Sequence, residues 1–318
     1  MSSSERSPEI LVYEDSGHFK AADLCRAFPD LTIHDPGRGI AAPACAGKSE
    51  ILIGLAHEIT DDLVAAMPRL RWIASLSTGV DHLWTLKSLK ADVRVTNGRG
   101  IHGPQMAELA FMFMIGLSRD FNLMRENQKN HVWKRRLQPV LVGKTIVMAG
   151  VGIISEEIAR RCKAFGMRVI GVSNARNSAP GFDQILPRAK LLEAAGMADF
   201  LVVLTPLDAT TRHMIGAPVF AAMKPSAFII NIARGDVVDE SAMISALREK
   251  RIAGAGLDVY SHEPPRDDNP LWDMPNVMMS PRIGGMSDIY ADQILPVVEH
   301  NLRAYLDDNM DGMRNIAR

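Results

Sequence analysis

Short runs of β-branched and aliphatic residues recur along the chain, and stretches with apolar positions at helical spacing lie between them, so strands and helices are predicted to alternate. Ile10-Leu11-Val12-Tyr13, Ile51-Leu52-Ile53-Gly54-Leu55, Trp72-Ile73-Ala74-Ser75-Leu76 and Val93-Arg94-Val95-Thr96 read as four strands of a first unit. Between the second and third, 60–67 reads as a helix with Thr60 as its cap, an acidic first turn and Pro68 behind it. A second unit repeats the alternation, with strands near 145–149, 168–172, 200–204, 227–231 and 253–257 and a further one at 278–281. Such runs suit strands of a parallel sheet covered on both faces. One long helix is expected from Pro104 to about Gln128, buried because it is apolar nearly all round at its start. Residues 133–142 read as an irregular connection, and a helix over 287–306 is expected to return to the first unit.

The second unit opens on Thr145-Ile146-Val147-Met148-Ala149-Gly150-Val151-Gly152-Ile153-Ile154-Ser155, which reads as strand, tight turn and helix. Gly150 lets the chain turn sharply, and Gly152 lets backbone approach a pyrophosphate seated on the free N–H groups of the helix, at Ile153 and Ile154. The third glycine of the usual fingerprint is replaced by Ser155, which can cap the helix but holds helix and strand further apart. The next strand ends at Ser173, which follows Gly152 by 21 residues, the distance at which such folds place the residue facing the adenosine ribose. A second phosphate-loop-like string, Ala42-Pro43-Ala44-Cys45-Ala46-Gly47-Lys48-Ser49, is set aside: no strand leads into it and no helix follows.

Composition narrows the class. A chain of 318 residues with 47% hydrophobic residues suits two domains, and a net charge of −1 gives no case for nucleic acid. No apolar run reaches the ~18 residues of a membrane span, and Met1-Ser2-Ser3-Ser4-Glu5-Arg6 lacks the apolar core of a signal peptide, so a cytoplasmic protein is expected. Cys25, Cys45 and Cys162 lie far apart and form no C-x-x-C pair, which argues against a disulfide framework and a structural metal site.

Three strand-end segments carry candidate chemistry: Ile230 to Asp236, Gly256 to Pro264, and Ser280 to Gly285. In the first, Arg234 brings a planar guanidinium to the sheet edge, where it can grip a carboxylate through two parallel hydrogen bonds. Asn231-Ile232-Ala233-Arg234-Gly235-Asp236-Val237-Val238-Asp239-Glu240, Gly254-Ala255-Gly256-Leu257-Asp258-Val259-Tyr260 and Glu263-Pro264 closely resemble the signatures of the D-isomer-specific 2-hydroxyacid dehydrogenases. The likeness runs from about Ser75 to Asp292. It implies an α/β fold of two Rossmann-like, doubly wound parallel-sheet domains with a cleft between them, as a homodimer. It implies that 1–100 with 291–318 forms a discontinuous substrate-binding domain and 101–290 the dinucleotide-binding domain. The implied reaction is reversible hydride transfer between a nicotinamide cofactor and a small 2-keto or 2-hydroxy acid.

By that resemblance, Arg234 binds the substrate carboxylate and carbonyl, Glu263 supports a catalytic histidine, and the backbone of Ser77, Thr78, Gly79 and Val80 holds the carboxylate. Asp258 lies near the nicotinamide amide, Thr205, Pro206 and Thr211 line the adenosine side, and Ile232, Ala233, Arg234 and Gly284 are further cofactor-binding positions. Two positions depart from the family pattern. The acidic residue that would bind both ribose hydroxyls of NAD is Ser173, followed by Asn174 and Arg176, which favours NADP(H) while leaving NAD(H) usable. The family's proton-transferring histidine is Arg282, which stays charged at any working pH. Activity on simple 2-keto acids is therefore expected to be low, with water or a nearby histidine as the substitute donor, His262 and His82 being candidates by proximity in sequence only. The leading expectation is an NADP(H)-preferring 2-keto acid reductase. The alternative is a dinucleotide-binding protein of little turnover that acts as a redox-sensing interaction module.

Overall fold

A computed structural model of the chain describes residues 7–14, 17, 19–37 and 43–318. Its contacts divide into two compact units, one made of Met1–Ile101 with Met286–Arg318 and the other of His102–Gly285. The leader at Met1 to Arg6 and Ala42 of the phosphate-loop-like string fall outside the described residues.

The first unit is built on five parallel strands, β1 (Glu9–Tyr13), β2 (Thr32–His34), β3 (Ile51–Gly54), β4 (Trp72–Ser75) and β5 (Arg94–Thr96), in the order β2-β1-β3-β4-β5. β3 and β4 are buried along their whole length, as a central parallel strand must be when helices cover both faces. Thr60 caps the short helix Asp61–Ala65 as its sequence predicts, its hydroxyl oxygen accepting from Leu63 N–H at 3.2 Å. The helix Tyr290–Leu306 packs Tyr290, Ile294, Val298 and Leu302 into the same core as Ile10, Ile51 and Trp72. That packing is what makes the unit discontinuous in sequence.

The second unit carries seven parallel strands: β6 (Thr145–Ala149), β7 (Arg168–Val172), β8 (Gln184–Leu186), β9 (Phe200–Val203), β10 (Phe228–Asn231), β11 (Gly254–Leu257) and β12 (Val277–Met279). Their order is β12-β11-β10-β9-β6-β7-β8. The chain winds outward from β6 through β7 and β8, then returns to the other side of β6 and winds the opposite way. The strand order therefore reverses between β6 and β9, and ligands of such sheets bind at that reversal, beyond the strands' carboxyl ends.

One expected element divides in two. The long helix predicted from Pro104 to Gln128 is Gly103–Ser118 followed by Phe121–Lys129, and Asp120 between them has left-handed backbone at φ 53°. Aspartate tolerates that conformation, and its carboxylate is ion-paired with Arg136 from the following segment. The first helix is buried against the sheet through Ala107, Ala110, Phe113 and Met114, whereas the second buries none of its residues.

The helix Glu240–Arg248 starts on Asp239, whose carboxylate accepts from Ala242 N–H at 3.0 Å and from the Ser241 hydroxyl at 2.7 Å. Those bonds, Ala242 first, hold its carboxyl below the ordinary aspartate range. Asp239→Ala is expected to cost about 1 kcal/mol of stability, read as a lower denaturant midpoint at neutral pH. The folded pKa lies below the unfolded one, so this contribution is complete above the unfolded pKa and disappears as pH falls through the folded one. Wild type and variant should therefore converge in stability in acid.

Candidate active site

The turn after β6 is shaped for close backbone approach. Gly150 has φ 114°, and a Cβ there would lie 2.8 Å from the Leu204 carbonyl carbon and 2.9 Å from Thr205 N. At Gly152, by contrast, a Cβ would meet no protein atom within 4 Å. Packing does not demand glycine at 152, whereas a diphosphate lying against the backbone would. Ser155 does more than space the helix from the strand. Its buried hydroxyl accepts from Gly152 N–H at 2.7 Å and donates to Gly152 O at 2.8 Å, stapling the turn onto the helix. The Gly152 N–H is thereby committed, and the N–H groups of Ile153 and Ile154 at the helix start are the donors suited to a phosphate. Thr205 ties the two sides of the strand reversal together, donating to Ala149 O at 2.7 Å. Thr211 is fully buried, donates to Pro206 O and accepts from Asp208 N–H, each at 2.7 Å, so its hydroxyl builds the loop rather than facing outward.

At the end of β7, the Ser173 hydroxyl oxygen accepts from the N–H groups of Ala175 and Arg176 at 3.1 and 3.2 Å. Asn174 Oδ1 accepts from Arg188 N–H at 2.9 Å, leaving the Asn174 amide hydrogens available to donate. Arg188, whose guanidinium donates to Thr210 Oγ1 at 2.9 Å, is a second cation beside this turn that sequence spacing does not reveal. Arg176 is ion-paired with Glu156 from the helix after the glycine turn.

The three strand-end segments converge. Asn231, the last residue of β10, accepts from Ala233 N–H at 3.2 Å and donates to Arg234 O at 3.0 Å, a local turn that sets Arg234 at the sheet edge next to buried Ile232. Arg234 itself donates to Ala233 O at 2.8 Å. The following Gly235 lies so close to Tyr260 and Ser261 that a Cβ would overlap the Tyr260 carbonyl oxygen. Glu263 Oε1 accepts from Tyr260 N–H at 3.1 Å, and its Oε2 is paired with Arg282. Arg282 has left-handed backbone at φ 55°, and its side chain is 55% exposed. Tyr260 is the buried brace between the last two segments, its hydroxyl shared between Leu257 O at 3.0 Å and Ser280 O at 2.8 Å. Glu240 adds a further clamp that sequence reading missed, accepting from Ser261 N–H and from the Asn269 amide, both at 3.0 Å.

Asp258 is almost fully buried and holds the segment that carries Arg282. Its Oδ1 accepts from the Ser280 hydroxyl at 2.5 Å and Ile283 N–H at 3.0 Å, and its Oδ2 from Gly284 N–H at 3.0 Å. Burial pushes its carboxyl above the usual range, and the three donors oppose that shift. Gly284 is obligatory for packing here, since a Cβ would fall 2.5 Å from Leu109 Cδ2 and 2.8 Å from Asp258 Oδ2.

In the first unit, the loop after β4 is fixed around Ser77. Its hydroxyl oxygen accepts from Ala56 N–H at 3.2 Å and donates to Gly79 O at 3.1 Å, and Thr78 donates to Gly98 O at 3.3 Å. Gly79 and Val80 then lead into the turn Asp81–Thr85. His82, a substitute donor by sequence, is exposed and bonded to Ile59 O at 3.0 Å, and His262 is exposed on its loop. Among the described residues, no cluster of histidine, cysteine, aspartate and glutamate could hold a metal ion. No helix there is long and apolar enough to cross a membrane. Cys162 is buried, which pushes its thiol up to about 12, and none of the three cysteines is in a disulfide.

Comparison with known proteins agrees with this geometry. Residues 111–284, more than half of the chain, match the model of the D-isomer specific 2-hydroxyacid dehydrogenase NAD-binding domain. The chain is 31% identical over 286 residues to a glyoxylate reductase of Thermococcus onnurineus, covering 86% of this chain and 84% of that protein. Its fold is similar to the crystal structure of a D-isomer specific 2-hydroxyacid dehydrogenase family protein from Aeromonas salmonicida, with a TM-score of 0.88, 30% identity, and 98% and 99% of the two chains covered. It is also similar to an NADPH-dependent glyoxylate/hydroxypyruvate reductase from Sinorhizobium meliloti solved with NADP and sulfate, with a TM-score of 0.83, 27% identity and 98% of each chain covered. A glycine turn fit for a dinucleotide, an arginine at the sheet edge and a match spanning both units lead to one conclusion: the chain belongs to the D-isomer specific 2-hydroxyacid dehydrogenases, NAD(P)-dependent oxidoreductases that interconvert 2-keto and 2-hydroxy acids.

Proposed function

We propose that the protein is a cytoplasmic, NADP(H)-preferring reductase of a small 2-keto acid such as glyoxylate or hydroxypyruvate, giving the D-2-hydroxy acid. The observation that carries this reading is the convergence of Arg234, Glu263 and Arg282 on neighbouring strand ends, beside the Asp258–Gly284 clamp. Bound NADPH supplies the hydride. Arg234 grips the substrate carboxylate and polarises the keto oxygen, and its guanidinium opposes the negative charge that develops there. Within the first unit, the loop of Ser77, Thr78, Gly79 and Val80 is proposed to bind carboxylate through its backbone N–H groups. Residues 102–285 serve as the dinucleotide-binding domain and the remainder as the substrate-binding domain. The second reading, a redox-sensing module of low turnover, rests on Arg282 alone. An assay of NADPH oxidation with a panel of 2-keto acids decides between the two.

Cofactor preference follows from the turn after β7. Ser173, Asn174, Arg176 and Arg188 offer donors and two cations to a 2′-phosphate carrying about two negative charges. Glu156 opposes this by pairing with Arg176, but one carboxylate charge is outweighed by a doubly charged phosphate. NADPH is therefore expected to bind more tightly than NADH in fluorescence titration. Arg176→Ala and Arg188→Ala should each weaken NADPH and leave NADH almost unaffected. Equal losses for both cofactors would remove these arginines from the phosphate site.

The protein is proposed to work as a homodimer. Met112, Ile115, Phe121 and Met124 are exposed along the paired helices, and Trp133 and Leu137 beyond them are 93% and 100% exposed. So large a run of bare apolar side chains in one segment is what a second copy of the chain would cover. Light scattering should return twice the 34.9 kDa chain mass. Leu137→Glu with Trp133→Glu should shift the protein to the monomer, and a monomeric wild type would contradict the dimer.

A further inference from the structure

Reduction of a 2-keto acid leaves a proton to be assigned, because Arg282 stands where the family pattern has its acid. We propose that His102 supplies that proton, an inference that rests on the 2-keto acid reduction proposed above. His102 is the first residue of the second unit and Gly285 the last, and the His102 ring lies on the Gly285 backbone. A Cβ on Gly285 would fall 3.0 Å from His102 Cδ2 and 3.4 Å from Nε2. Gly285 follows the strip that Asp258 clamps through Ile283 and Gly284, and its carbonyl accepts from Gln105 Nε2 at 3.5 Å. The imidazole therefore sits on the segment whose preceding residue is Arg282, itself paired with Glu263.

Among the histidines of the described residues, position and chemistry both single out this one. His34, His82 and His300 are bonded to Glu9, Ile59 O and Gly312 O of the first unit, and His57 lies beside Glu58 there. His131, His213 and His262 are exposed, whereas His102 is half-buried with its ring held against Gly285. An imidazole gives and regains a proton near neutrality, which a guanidinium does not. In the step, a hydride with its electron pair adds to the keto carbon, and the carbonyl π pair moves onto oxygen. The alkoxide then takes the proton of the His102 imidazolium, the neutral imidazole is reprotonated from solvent, and NADPH is left as NADP+. Arg282 and Glu263 remain a fixed ion pair beside the forming alkoxide and exchange no proton. With a donor at His102, the low activity that sequence leads one to expect from Arg282 need not arise.

The test uses the full-length protein with NADPH and hydroxypyruvate. His102→Gln is expected to lower kcat/KM by roughly a hundredfold or more, the usual worth of a positioned acid–base group. NADPH titration should still show binding, which reports a folded dinucleotide site. His102→Ala should be partly rescued by added imidazole, and Arg282→His in the His102→Gln background should restore turnover by returning a titratable donor to the neighbouring position. A His102→Gln protein that matches an active wild type overturns this assignment alone. A wild type that oxidises NADPH with no 2-keto acid overturns both this assignment and the reading of function beneath it.

Discussion

Arg234→Ala is expected to abolish most reductase activity, with a loss of about 3 kcal/mol in transition-state stabilisation, or roughly a hundredfold in kcat/KM. In the proposed binding mode two contacts are lost together: the bidentate one to the substrate carboxylate and the polarising one to the keto oxygen. Arg234→Lys retains the charge but lacks the planar fork, so it should fail nearly as badly. The backbone turn that sets the side chain is made by Asn231 and does not need the guanidinium, so the fold should survive. NADPH fluorescence titration checks that survival. An Arg234→Ala protein with wild-type efficiency on every accepted keto acid would remove this residue from the site.

Gly235→Ala should be comparably damaging for a different reason. The carbonyl oxygen of Tyr260 stands where the new methyl group must go, and the atoms behind it are the Tyr260 and Ser261 backbone rather than a movable side chain. The conflict is one of close approach and not of left-handed backbone, so any side chain at 235 should fail. Relief requires the Arg234 turn and the Tyr260–Glu263 loop to separate, which costs about 1–3 kcal/mol of stability as overpacking. It also pulls Arg234 away from Glu263 and Arg282. A lowered melting temperature together with a fall in kcat/KM on hydroxypyruvate is the expected result. A variant with unchanged stability and activity would mean that the two segments do not meet as described.

The extent to which the sequence reveals this molecule follows from where its signals are local. Buried parallel strands are continuous apolar runs, and β3, β4, β6, β9 and β10 stand where such runs lie. β2 and β8 are missed because both are three-residue edge strands with no apolar run, β2 burying none of its positions and β8 only Leu186. The break at Asp120 is missed because apolar residues continue on both sides of it, and left-handed aspartate has no distinctive sequence mark. Arg234, Glu263 and Arg282 are legible through contiguous motifs, but their convergence depends on Gly235 packing on Tyr260 and on the Glu263–Arg282 pair. Arg188 reaches the β7 turn from beyond β8, Glu240 reaches Ser261 from the next helix, and His102 meets Gly285 from the other end of the unit. Each depends on a contact between segments far apart in sequence, which periodicity and local spacing do not encode.

Product analysis tests the central claim most directly: the protein is incubated with NADPH and hydroxypyruvate, NADPH consumption is followed, and the product is resolved by chiral chromatography. The account predicts one D-glycerate formed for each NADPH oxidised, with no turnover of the corresponding amide, which lacks the carboxylate proposed to bind Arg234. NADPH binding without consumption across the keto-acid panel, or formation of the L product, would contradict it.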